Sequence, residues 1–167
     1  MVPLTHTLKR CNIAVQLRVV LQKANADGLS ELAQFIVRNL AFCDHVALMG
    51  LEVHGYAREC QDAVWIDPVD YARPLRDAVM LLAAHGVNVA IFNLPMCVLP
   101  REVWGFAEKS ISDWKVEYAG PCQACEAKPA CCGLFGTSDG QHSRAIHALA
   151  GGDLELLHRG RGINGRA

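Results

Sequence analysis

The sequence has no hydrophobic run of bilayer length. Its opening, "MVPLTHTLKRCNIAVQLRVV", is too polar and too short in its apolar part for a secretory h-region. Neither a membrane span nor export is expected, and the expected compartment is the cytoplasm. Charge of one sign is missing too. The net charge is −1 and no basic stripe forms that could follow a phosphate backbone, so nucleic acid is not an expected partner. No internal repeat is visible, and 167 residues, about half of them apolar, suit one domain with a real core.

What the chain does have is cysteine, eight in all. In a reducing compartment these are expected to be thiols or metal ligands, because glutathione and thioredoxin keep structural disulfides from persisting.

The first half reads as alternating strands and helices. In "CNIAVQLRVVLQK", Ile13, Val15, Leu17, Val19 and Leu21 share one face of a strand, while Asn12, Ala14, Gln16, Arg18 and Val20 share the other. "LSELAQFIVRNL" spaces Leu29, Leu32, Ala33, Ile36 and Leu40 as one helical stripe. "DHVALMGLE" is the short apolar run of a strand covered on both faces. In "IDPVDYARPLRDAVMLLAAHG", Asp67 is a cap before Pro68, a break is expected near Arg73 and Pro74, and about three turns of helix then run to Gly86. "VNVAIFN" is a third strand. This βαβαβ order predicts an α/β fold with a parallel sheet. Beyond Pro100 a short helix in "REVWGFAEKS" and a strand in "ISDWKVEY" are expected, then loop, then a frayed tail. Trp65, Trp104 and Trp114 read as core or interface anchors.

Four cysteines crowd the segment "PCQACEAKPACCGLF". Cys122, Cys125 and Cys131 form C-x2-C-x5-C, in which the two-residue gap lets a tight turn aim both sulfurs at one centre. A closed site needs a fourth ligand. Cys97, just past the third strand, is the preferred candidate and Cys132 its rival, since adjacent side chains usually diverge and Cys132 reads as a small buried hydrophobe. Cys11, Cys43 and Cys60 stand alone and are left out of the site. All-thiolate ligation suits zinc and iron–sulfur alike, and no histidine lies within the cluster to favour zinc. His142 and His147 follow shortly, in a stretch that reads as solvated loop.

A βαβαβ unit followed by a cysteine-rich extension resembles the last part of a radical S-adenosylmethionine enzyme, and C-x2-C-x5-C is the spacing of its SPASM auxiliary-cluster domains. More narrowly, "LKRCNIAVQLRVVLQK", "FCDHVALMGLE", "WIDPVDY", "LPMCVLP" and "SISDWKVEY" resemble the His-Xaa-Ser system radical SAM maturase, the C-type protein of that system, from about Leu8 to about Ala148. The resemblance implies the C-terminal part of a partial (β/α) barrel over residues 1–96, an auxiliary iron–sulfur segment over 97–148 and a disordered tail over 149–167. It further implies modification of a peptide with His-Xaa-Ser repeats, alongside other maturation proteins of the system, by a 5′-deoxyadenosyl radical made at a second 4Fe-4S cluster bound to S-adenosylmethionine. The family's C-x3-C-x2-C and its glycine-glycine-glutamate strand are absent from these residues, and the SPASM position three beyond Cys132 is Phe135. Residues 1–12 look like the end of a helix preceding the first strand, so a truncated gene or fragment, inactive alone, is expected.

Sites on such barrels gather at the C-terminal ends of strands. Lys23, Glu52 and Asn93 hold those places, while Gln16 and Arg18 would point into the lumen. Arg18, Glu52 and Asn93 are accordingly the expected cofactor-binding residues, against the alternative that Arg18 and Glu52 pair with each other to compensate buried charge. "HGYAREC" reads as a surface turn or a substrate loop. The competing view of the whole chain is a non-enzymatic, zinc-binding α/β module that docks a peptide or protein partner. Open sheet edges predict self-association.

Overall fold

The computed structural model describes residues 13–151, so Cys11, Asn12, the helix expected over residues 1–12 and most of the expected tail lie outside the described residues. Four parallel strands stand in the order β1-β2-β3-β4: β1 Gln16–Leu21, β2 His45–Gly50, β3 Val89–Phe92 and the two-residue β4 Ala107–Glu108. Helix α1, Leu29–Asn39, joins β1 to β2. Between β2 and β3 the chain makes two single turns, α2 Tyr56–Glu59 and α3 Gln61–Val64, and then the long α4, Ala72–Ala84. The α/β reading with a parallel sheet therefore holds.

Consecutive parallel order requires each connection to cross back over the sheet, and α1 and α4 pack beside each other in the same core. Leu29, Ala33 and Ile36 of α1 meet Leu75, Ala78, Val79 and Leu82 of α4 over Leu21, Val46, Leu48, Val89 and Ile91 of the strands. The alternation read in β1 is what places Leu17, Val19 and Leu21 against this core and leaves Gln16, Arg18 and Val20 exposed on the other face.

Pro74 does not break the helix. It is the third residue of α4, in the first turn, where backbone N–H groups have no intrahelical acceptor and its missing donor costs nothing. Asp67 caps a separate 3-10 turn, Pro68–Asp70, by accepting the Val69 N–H at 3.2 Å. "REVWGFAEKS" is a 3-10 turn, Arg101–Phe106, running straight into β4, and Trp104 there is buried with its indole N–H donated to the Leu99 carbonyl at 3.0 Å. Trp114, by contrast, is 78 % exposed.

In "ISDWKVEY" only Val116–Glu117 is strand. This β5 pairs antiparallel with β6, Leu134–Phe135, so the cysteine segment is the connection of a two-stranded hairpin. The stretch after it is not solvated loop. Ser138 is buried, and its hydroxyl accepts the Val53 N–H at 3.1 Å. Ser143 and Arg144 both bind the buried Asp67, and Arg144 also pairs with Asp70. Leu149, where the tail was expected to start, is buried and exchanges bonds with the cysteine segment. Among the described residues no helix is long and apolar enough to cross a membrane.

Candidate metal centre and adjoining cleft

β3 ends in a tight bend. Asn93 has φ of 62°, a left-handed conformation that asparagine tolerates better than most residues, and its N–H and side-chain oxygen both bond the Ser110 hydroxyl at 2.9 Å. Gly50 at the end of β2 lies so close to this bend that a Cβ would stand 2.7 Å from the Asn93 carbonyl oxygen. The bend carries the chain through Leu94 and Pro95 into a 3-10 turn, Met96–Val98, with Cys97 at its centre.

Cys97 meets the hairpin connection there. Cys97, Cys122, Cys125 and Cys131 line one pocket with Met96, Tyr118, Lys128, His147 and Leu149. Cys132 is buried beside it, with its thiol directed at the Gly133 carbonyl at 3.3 Å, and is not part of the wall. Of the two candidates for a fourth ligand, Cys97 is thus the one brought to the other three. Cys43 and Cys60 are away from this pocket.

Backbone amides face two of the four sulfurs. Leu149 N–H donates to Cys125 Sγ at 3.4 Å and Gly133 N–H to Cys131 Sγ at 3.5 Å. Such bonds favour the thiolate. Against them, burial pushes Cys97 and Cys122 up, whereas contact with Cys132, with the Gly133 and Met96 amides and Lys109, pulls Cys131 down despite its burial. Cys132 is pushed up by the same contact and by its burial.

Among the described residues no group of three or more His, Cys, Asp or Glu side chains is placed to hold a metal ion. Zinc at about 2.3 Å from each sulfur would hold its ligands within about 3.8 Å of one another. The four thiols therefore share a pocket without being drawn around one point. All-thiolate donors suit zinc and an iron–sulfur cluster alike. The void between the side chains is about 20 Å³. A four-iron cluster would need more room than this void gives.

A second cavity, about 260 Å³, opens beside the C-terminal ends of the strands and takes in all three expected cofactor residues, Arg18, Glu52 and Asn93, with Ser110, Ser112, Lys115 and Phe135. The alternative Arg18–Glu52 pair does not form. Arg18 donates through Nε to Gln16 Oε1 at 2.7 Å, and its register neighbour Ala47 is small enough to leave its side chain room. Glu52 instead accepts from Lys115 Nζ at 3.0 and 3.1 Å and from the Thr137 hydroxyl at 2.6 Å. Lys23 turns away, giving its ammonium to the Asp62 carbonyl at 2.6 Å. "HGYAREC" is the exposed α2 turn, with Tyr56 84 % exposed.

Lys115, Thr137, Ser110 and Ser112 are site residues that pattern reading missed. Lys115 and Thr137 flank β5 and β6, whose two-residue length leaves no period to read. Comparison with protein-family models, with curated proteins and with solved structures returned no match to this chain.

Proposed function

We propose that this chain is the C-terminal region of a radical S-adenosylmethionine maturase acting on a peptide with His-Xaa-Ser repeats, and that Cys97, Cys122, Cys125 and Cys131 hold an auxiliary 4Fe-4S cluster. The observation that carries the reading is the meeting of Cys97, at the end of β3, with three cysteines from a separate hairpin in one pocket, two of whose sulfurs are faced by backbone amides. Such a cluster supplies one-electron chemistry, and its potential is set by hydrogen bonds to sulfur and by solvent exposure. The chain's part is to hold the thiolates, shield them with Tyr118 and Leu149, and keep the Gly133 and Leu149 amides aimed at them. In the same reading the cleft takes S-adenosylmethionine. Arg18 would bind a carboxylate there, and Asn93, Ser110 and Ser112 would bind hydroxyl groups. With no C-x3-C-x2-C in these residues, radical generation would depend on a motif supplied elsewhere.

Anaerobic reconstitution with iron and sulfide tests the metal centre. Broad thiolate-to-iron absorption near roughly 400 nm is expected, with Cys97→Ala losing as much bound iron as Cys125→Ala and Cys132→Ala losing little. Full iron in the Cys97 variant would remove that residue from the ligand set. A colourless, stoichiometric zinc protein would favour the non-enzymatic docking module.

A further inference from the structure

The two legs of the cysteine hairpin end on a single carboxylate. Lys115 directly precedes β5 and Thr137 follows β6 by two residues, and both bond Glu52, which stands two residues past β2. Val53 adds a buried second tie by donating its N–H to Ser138. The hairpin that presents Cys122, Cys125 and Cys131 is therefore fastened to the sheet at its base, one carboxylate holding both legs.

The same fastening forms a wall of the Arg18 cleft. Glu52, Lys115 and Phe135 all line it, opposite Arg18 and next to Ser110 and Ser112. With the fastening closed, the Lys115 ammonium is neutralised and Phe135 is in place. With it open, a half-buried carboxylate and a free ammonium would face the cleft separately, so the two states present different chemistry to a ligand.

We propose that Glu52 is a positioning residue that couples occupancy of the cysteine pocket to the shape of the Arg18 cleft. The inference rests on the metal reading above and adds its regulation. Metal at Cys122, Cys125 and Cys131 orders the hairpin, the ordered hairpin holds Lys115 and Thr137 on Glu52, and the cleft wall is set. Linkage makes the effect reciprocal: weakening the base weakens retention of the metal.

Hydrogen exchange on the full chain, with and without anaerobic loading by iron and sulfide, tests this. In the wild type, loading slows amide exchange in Val116–Glu117 and Leu134–Phe135 and also in residues 52–54 and 110–112. In Glu52→Gln, and independently in Lys115→Met, loading still protects the hairpin but leaves 52–54 and 110–112 unchanged, and a ferrous chelator strips iron about five- to tenfold faster. Glu31→Gln, on α1, behaves as wild type. Iron uptake with a protected hairpin and an unchanged cleft in the wild type overturns the coupling alone, as do two variants that transmit protection normally. A chain that takes up no iron overturns the metal reading and this inference with it.

Discussion

Glu52 carries its charge half-buried, and its titration records what that placement does. Burial pushes the carboxyl up, but the Thr137 hydroxyl and the Lys115 ammonium outweigh it and hold the group below its usual value of 4.5. A carboxyl depressed in the folded state stabilises it fully above the unfolded value, and that contribution is lost as pH falls through the lower, folded one. Urea midpoints measured from about pH 6 down to about pH 3 should fall more steeply in the wild type than in Glu52→Gln. Parallel curves would mean that the Lys115 contact adds nothing to stability. The sequence marked Glu52 as a site residue because it ends a strand, but its partner lies 63 positions away on an element too short to show a pattern. The place of Cys97 was legible for the opposite reason: it follows a strand end closely, and a pocket shared with Cys122, Cys125 and Cys131 forms there.

Elements with a clear period were read well, and those without one were not. α1 follows its stripe and β1 its alternation over Gln16–Leu21, whereas Ile13, read on the apolar face, lies before the strand and is 52 % exposed, and Pro74 misled because its cost depends on where in a helix it falls. The segment over residues 138–149 is held by polar bonds rather than by a repeating apolar face, and so it looked solvated. Its main anchor is Asp67, 4 % exposed, which accepts from Val69 N–H, the Ser143 hydroxyl, and the Arg144 N–H and guanidinium. Asp67→Ala strands these donors and should lower unfolding free energy by about 2–4 kcal/mol, read from urea denaturation. A loss under about 0.5 kcal/mol would show that the segment docks without it. Trypsin cleavage at Arg144 should accelerate in the same variant.

The described residues cover one face of the parallel sheet and leave the other partly bare. On the face away from α1 and α4, Val20 is 43 % exposed beside Gln16 and Arg18, and Met49 and Phe92 are half-buried. Parallel sheets are ordinarily covered on both faces. Sedimentation velocity over a rising concentration series should show reversible growth of the weight-average coefficient, reduced in Val20→Thr; a single monomeric boundary throughout would overturn this. The layered α/β plan was legible because strand alternation and helical stripes both report burial directly. Whether a sheet closes, and what covers its second face, depends on contacts that periodicity does not encode.

Cys97 leaves the ribosome well before Cys122, Cys125 and Cys131. Translation moves at about 5–20 residues per second, so for some seconds the nascent chain offers one donor and no site. The helix-covered sheet must hold its bend at Asn93 by packing and by the Ser110 hydroxyl in that interval, including the close approach of Gly50. On the proposed cluster reading, insertion is the last act of maturation, and starvation for iron should leave a folded sheet with an unclosed flap instead of an unfolded chain.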